Sequence, residues 1–251
     1  MAQTPLLVAQ ITDTHLFADP NQQMMSCTTA TTLRSVVQAL HHLSPKPDLL
    51  LMTGDLSQDE TLESYQNLQN QVDVLNIPTY WIPGNHDVPA VMNQVLTSGC
   101  ISPQKYIQAN GWNFVLLDSA LPNHVEGQLS VAQLDWLEQR LLEQNQPTVV
   151  VLHHHPLPIG STWMDRIGLQ NSDPLFEVID RYPHVKLVLF GHIHQEFEQY
   201  RNGVCYLGTP STCVQFKPDS DGFAIDSQPA GFRLLKLLPN GEYSTLVKRV
   251  S

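Results

Sequence analysis

Positive charge is scarce in this chain. Lys and Arg together number 13 against 24 Asp and Glu, a formal net charge of −11. Surfaces that bind nucleic acid neutralise phosphates with Lys and Arg, so a nucleic-acid partner is not expected. An anionic ligand would need a local positive centre, which a bound metal can supply against the overall field. Cysteine is sparse too. Cys27, Cys100, Cys205 and Cys213 show no CxxC spacing. Free thiols in a reducing compartment, the cytoplasm, are expected, and thiolate ligation of a metal is not. No apolar run approaches the ~20 residues of a membrane span, so no membrane partner is expected. The N-terminal Met1-Ala2-Gln3-Thr4-Pro5 lacks a basic segment, and Leu6–Ile11 runs straight into Thr12-Asp13. That stretch reads as a first strand rather than a signal peptide. Internal repeats and low-complexity tracts are also missing.

What remains is an ordinary globular composition, 42% hydrophobic and 15% charged over 251 residues. Residues 1–251 read as a single domain. Strands are expected at Leu6–Thr12, 48–53, Pro78–Ile82, Trp112–Asp118, Thr148–His153 and Val185–Phe190. Several are uniformly apolar, which implies burial on both faces. Leu33, Val36, Val37, Leu40 and Leu43 share a helical face. Asp59 and Glu60 open a second helix that runs through Val72, and Ser130 caps a third. Hairpins are expected about Asn202-Gly203 and Pro239-Asn240-Gly241, and residues 218–229 read as a loop.

Metal-capable residues cluster at the carboxyl ends of these strands. They are Asp13-Thr14-His15, Gly54-Asp55, Gly84-Asn85-His86-Asp87, His153-His154-His155-Pro156 and Gly191-His192-Ile193-His194. Seven of the 11 histidines lie there, leaving His41, His42, His124 and His184 elsewhere. Ligand sites in open α/β sheets lie outside strand carboxyl ends. In an extended segment residues i and i+2 face one side, so Asp13 with His15, and His192 with His194, are expected to converge. Carboxylate, amide and imidazole donors without thiolate suit Mn²⁺, Fe, Zn²⁺ or Mg²⁺. Seven donors exceed what one catalytic ion takes. They suit two ions ~3.5–4 Å apart that share a bridging group, and Asp55 is the natural bridge.

The order D-x-H, G-D, G-N-H-D, a later His and G-H-x-H resembles the calcineurin-like metallophosphoesterase family. The resemblance runs from Asp13 to His194. It implies an α/β (α+β) fold, a four-layer αββα sandwich of two mixed β-sheets flanked by helices. It also implies one ion on Asp13, His15, Asp55 and His194, and a second on Asp55, Asn85, His154 and His192. In the fourth cluster, regular alternation would set His153 and His155 against His154. The family's ligand typically stands two residues before a proline, which selects His154, with His153 as second candidate. By the same resemblance His86 stays uncoordinated and contacts the phosphate or serves the leaving oxygen, making His86 and Asp55 the catalytic pair. His15, Asp55, Asn85, His86 and His194 are the implied substrate contacts.

A narrower resemblance, to bacterial class III 3′,5′-cyclic AMP phosphodiesterases, rests on residues 153–158, Trp163-Met-Asp, Gly168–Asn171 and above all Gly208–Pro218 with Pro229–Arg233. Ser26–Thr32 departs from the Gly-Val-Asn-Thr-like stretch of those enzymes. The resemblance implies hydrolysis of cyclic AMP to 5′-AMP at a centre holding Fe or Mn, with Zn or Mg as alternatives, in a monomer or homodimer. A broader phosphodiesterase or phosphomonoesterase on the same core is the second reading. Trp163 is a candidate to stack on adenine and Asn171 to read the base or ribose. Lys217 and Arg233 are read as structural cations, and Cys213 as a small buried hydrophobe.

Overall fold

The computed structural model describes residues 4–250, so Met1–Gln3 of the N-terminal stretch and Ser251 lie outside the described residues. Two six-stranded sheets pack face to face. The first runs in the order Tyr243–Arg249, Gly231–Leu237, Leu6–Ile11, Leu49–Thr53, Thr79–Ile82, Ile101–Ser102. Its last four strands are parallel, and the C-terminal hairpin adds antiparallel to Leu6–Ile11. The second runs Phe197–Arg201, Val204–Gly208, Val185–Phe190, Thr148–Val151, Trp112–Leu116, Tyr106–Ala109, parallel in its four central strands. Antiparallel strands close both of its edges.

The strands are apolar throughout because each of their faces meets a different core. Leu6, Val8, Leu49 and Leu51 point between the sheets and meet Phe114, Val149, Leu187 and Leu189 of the second sheet. Alternate residues Ala9, Ile11, Leu50 and Met52 face the helices Thr29–His41 and Leu62–Val72. On the far side Val150, Val188 and Phe190 pack under Val131–Glu143 and Ser172–Ile179. The result is the expected helix–sheet–sheet–helix order, with two mixed sheets. Thr61 caps Leu62–Val72 by accepting from Ser64 N, and Ser130 caps Val131–Glu143 by accepting from Gln133 N. Both expected hairpins form, with Asn202-Gly203 left-handed at one turn.

Local boundaries differ from expectation in ways that matter for function. The strand Thr148–Val151 stops before the three histidines, so strand alternation does not extend over them. The first helix, Thr29–His41, carries the expected apolar face and follows a small hairpin of Gln23–Met24 and Cys27–Thr28. Strand Tyr106–Ala109 and helices Pro89–Val95 and Ser172–Ile179 were not anticipated. They are too short to show a periodic pattern.

Two buried polar side chains tie the sheets together near the loop end. Gln10 donates to Thr53 Oγ1 and Phe190 O and accepts from Thr209 Oγ1. Arg233, 2% exposed, donates to Gly208 O at 2.7 Å, Thr245 Oγ1 at 2.9 Å, Thr209 Oγ1 at 3.2 Å and Phe197 O at 3.4 Å. It is a structural cation, as expected, and neutral oxygens satisfy it rather than a carboxylate. Arg233→Ala strands these acceptors, at about 1–3 kcal/mol for each buried group left unpaired. Urea unfolding should show Arg233→Ala less stable by about that amount or more. Unchanged stability would mean that water replaces the guanidinium.

Candidate metal centre

The parallel strands of both sheets end on one edge, and the loops leaving them carry every clustered residue. Asp13 and His15 follow Leu6–Ile11, Asp55 follows Leu49–Thr53, and Asn85 and His86 follow Thr79–Ile82. From the second sheet come His153 after Thr148–Val151, and His192 and His194 after Val185–Phe190. The site therefore straddles the seam between the sheets.

The backbone at these residues is left-handed. Asp13, His15, Asp55, His192 and His194 have φ between 44° and 67°. Such a conformation costs a non-glycine residue roughly 1–2 kcal/mol, and clusters of it mark functional loops. The expected pairing of i and i+2 across an extended segment is therefore not the device used. Asp13 and His15 do converge, but through two left-handed turns held by Asp13 N–H on Gly54 O and His15 N–H on Asp55 O. His192 and His194 diverge to opposite sides of the centre. Gly84 is needed for close approach, since a Cβ there would lie 2.2 Å from Asp55 Oδ1 and 2.8 Å from His153 Nε2.

Two donor sets result. Asp13, His15 and His194 gather their ligand atoms on one side, with His194 Nε2 3.3 Å from Asp13 Oδ1 and 3.1 Å from His15 Nε2. Asp55 stands between the sets, its Oδ2 3.8 Å from His15 Nε2 and 3.3 Å from His153 Nε2. On the other side Asn85 Oδ1 and His192 Nε2 are buried with no hydrogen-bond partner among the described residues, and His153 Nε2 has only the Asp55 carboxylate beside it. A carboxylate, an amide oxygen and two imidazole nitrogens with free lone pairs fit a cation and little else.

The imidazoles are oriented for this from behind. His15, His153 and His194 direct Nδ1 at Gln58 Oε1, Thr53 O and Val214 O, at 2.7–2.8 Å. Each Nδ1–H is thus taken by an oxygen and each Nε2 lone pair is free for a metal. His154 is arranged the other way. Its Nε2 meets the Val125 carbonyl at 3.1 Å and its Nδ1 meets Ser119 Oγ at 2.8 Å. Both of its nitrogens have partners while His153 Nε2 faces the Asp55 carboxylate, yet His153, His154 and His192 all bring a ring nitrogen within 4.8 Å of one another, so both residues of the fourth cluster stand beside the second donor set. The strand ends at Val151, so the alternation expected to separate these residues does not apply to them.

Charge does not divide His153 from His154, since burial and the neighbouring His153 hold His154 well below the usual imidazole range, in the neutral form that binds metal. Burial opposes ionisation of Asp55, but His153, His15 and His86 outweigh it and hold the carboxyl well below the usual carboxylate range. Burial dominates at His15, lowering it to about 4, and at His192, which neighbouring imidazoles depress further. Both are neutral near pH 7, the form that binds metal. Burial also acts on His153, but the Asp55 and Asp13 carboxylates prevail and raise it to about 9. A cation would take the place of that proton.

A cleft of about 280 Å³ opens above the donors, near the lower end of small-ligand pockets at ~300–1,000 Å³. His15, Asp55, Asn85, His86, His192 and His194 line its polar part, and Met24, Met25, Trp163, Ile167 and Phe216 its apolar part. Trp163 is therefore where the sequence reading put it. Asn171 is not, because its amide is spent on Leu129 N and O at 2.9 and 2.8 Å. Lys217 is exposed. Asp87 braces loops by accepting from Gly84, Leu56 and Ser57 N–H and from Tyr65 OH. The block Gly208–Pro218 acts mostly from behind the ligands. Ser211 Oγ donates to Asp13 O, Val214 O accepts from His194, and Phe216 stacks on His194 at 4.1 Å. Cys213 is buried, as expected. Gln58 and Ser119 were missed, because a lone glutamine or serine carries no signal in a sequence.

Comparison with known proteins agrees with this geometry. Residues 6–196 match the family described as calcineurin-like phosphoesterase. A 3′,5′-cyclic-nucleotide phosphodiesterase of Nostoc sp. strain PCC 7120 is 51% identical, over 98% of this chain and 93% of its own length. The 3′,5′-cyclic adenosine monophosphate phosphodiesterase CpdA of Escherichia coli K12 is 40% identical, over 97% of this chain and 90% of its own. Among solved structures, a dimetal phosphatase from Danio rerio superposes with a TM-score of 0.67 at 14% identity, covering 98% of this chain and 99% of that one. That last likeness is one of fold.

His153→Ala should lose the ion of the second donor set and keep the other. His154→Ala should keep both at some cost in stability. Metal content per folded chain, measured by plasma emission after dialysis, checks this. Loss of metal from His154→Ala alone would restore the ligand chosen from the proline spacing.

Proposed function

The chain belongs to the calcineurin-like phosphoesterases, and from that premise we propose that it hydrolyses 3′,5′-cyclic AMP to 5′-AMP at a dinuclear metal centre. The observation that carries the metal half of this reading is the set of unpartnered buried donors facing Asp55. The substrate half is supported by relatives 40–51% identical along nearly all of their length whose names specify cyclic nucleotides.

We assign Asp13, His15, Asp55 and His194 to one ion and Asp55, Asn85, His153 and His192 to the other. Bound there, two cations supply Lewis acidity toward a phosphoryl oxygen and acidify a water to near-neutral pKa. The donors are nitrogen and oxygen only. Cys213 Sγ is turned to Ser211 and Asp13 O. That chemistry suits Fe or Mn, with Zn and Mg as lesser fits.

The protein's own groups do the rest. Asp13 and Asp55 contribute two negative charges against about four or more from the ions, so the loaded centre is positive inside a chain of −11. A phosphodiester monoanion is drawn to it. The apolar wall of Met24, Met25, Trp163, Ile167 and Phe216 offers the nucleoside a dry surface, with the Trp163 indole available to stack on a base. His86 brings a ring nitrogen within 4.8 Å of the His15 and Asp55 donors and lines the same cleft; we assign it to neither ion and give it the phosphoryl group instead. We read the chain as a single domain, of which residues 6–196 match the family. No helix among the described residues is long and apolar enough to cross a membrane. Four free cysteines fit the cytoplasm.

Incubating Mn²⁺- or Fe²⁺-loaded enzyme with cyclic AMP should yield 5′-AMP, resolved chromatographically from 3′-AMP. Release of 3′-AMP, or faster turnover of p-nitrophenyl phosphate than of cyclic AMP, would favour the broader phosphoesterase.

A further inference from the structure

The Gln58 side-chain amide lies between two histidines with different tasks. Its Oε1 is 2.8 Å from His15 Nδ1, and its Nε2 is 3.4 Å from His86 Nδ1. The amide cannot turn over freely. His15 offers Nε2 to the first donor set, so its ring hydrogen sits on Nδ1 and needs an acceptor. Only the oxygen of Gln58 provides one, which turns the amide NH₂ toward His86. An amide nitrogen donates and never accepts. His86 Nδ1 must therefore present its lone pair, and the ring hydrogen of His86 is left on Nε2. That nitrogen has no partner among the described residues, and His86 lines the cleft beside Asn85. The backbone fixes the ring's base, since His86 N–H donates to Asp55 Oδ1 at 2.9 Å.

We propose that Gln58 is a positioning residue that couples the metal ligand His15 to His86, holding His86 as an Nε2–H donor to a non-bridging oxygen of the substrate phosphodiester. This rests on the phosphodiesterase reading above and settles which of two roles His86 takes. Protonating the leaving O3′ would require hydrogens on both ring nitrogens beforehand. His86 Nδ1–H would then confront Gln58 Nε2–H, donor against donor. The geometry favours a hydrogen bond that steadies charge on the phosphoryl group, with no proton transferred from His86.

Nitrogen-15 NMR of histidine-labelled enzyme loaded with Zn²⁺, a diamagnetic ion, tests this without reference to activity. The ¹⁵N shift separates an N–H nitrogen from one bearing a lone pair, and His86→Gln identifies the signal. Wild type should show His86 with hydrogen on Nε2 and a bare Nδ1. Gln58→Glu replaces the NH₂ by an acceptor while still accepting from His15, and should move the His86 hydrogen to Nδ1 with metal content unchanged. Its kcat on cyclic AMP should fall more than its KM changes. His86→Ala should lose about 10²–10³-fold in kcat/KM, to a similar extent on cyclic AMP and on bis-p-nitrophenyl phosphate, whose leaving group needs no proton. A wild-type His86 carrying hydrogen on Nδ1 would overturn the proposal, even if both variants failed to fold. So would a loss in His86→Ala confined to cyclic AMP. The expected NMR signature in an enzyme that cleaves bis-p-nitrophenyl phosphate and ignores cyclic AMP would support the positioning role and refute the substrate instead.

Discussion

A carboxylate held ionised where water scarcely reaches governs this structure. Asp55 is 3% exposed, and an isolated charge so buried costs several kcal/mol. Everything around it offsets that cost. His153 and His15 approach from opposite sides, His86 N–H bonds one oxygen, and glycine at 84 lets the neighbouring loop close on it. The left-handed turns at Asp13, His15, His192 and His194 make sense as the means of bringing the other donors around the same carboxylate. A site assembled from less constrained loops would leave that charge uncompensated.

The second layer is nearly as exacting as the first. Three imidazoles hand their Nδ1–H to oxygens drawn from three places: a side chain, a strand end and the Gly208–Pro218 segment. Each oxygen decides which nitrogen is left bare, and hence which residues can ligate. His154 makes different contacts, with Ser119 and the Val125 carbonyl. The orientation of the rings in this centre is thus set by carbonyls and amides as much as by the histidines themselves.

Much of this was legible in the sequence, and the misses have physical causes. Buried parallel strands announce themselves as unbroken apolar runs such as 48–53, and metal donors collecting at their ends identify the site. The convergence of Asp13 with His15 was anticipated for the wrong reason, since it depends on left-handed φ that no alternation rule describes. Strand alternation does not separate His153 from His154, because the strand stops at Val151. Asn171 looked available for a ligand, but a side-chain amide can also imitate a backbone rung, as it does against Leu129. Gly208–Pro218 stood out as the more specific part of the resemblance to cyclic AMP phosphodiesterases. Its buried hydroxyls and carbonyls show a segment whose sequence is constrained largely by the ligands it supports.

The seam between the sheets has a consequence of its own. Asp13, Asp55 and Asn85 hang from one sheet, His153, His192 and His194 from the other, so an ion bound at the centre is also a rivet through two halves of the molecule. Cations that bind the folded site and not the unfolded chain stabilise it by mass action, about 2.7 kcal/mol at a hundredfold excess over Kd. That is a sizeable share of the ~5–15 kcal/mol that holds a typical protein folded. Metal that loads the centre therefore also stabilises the folded chain, and removing it lowers that stability.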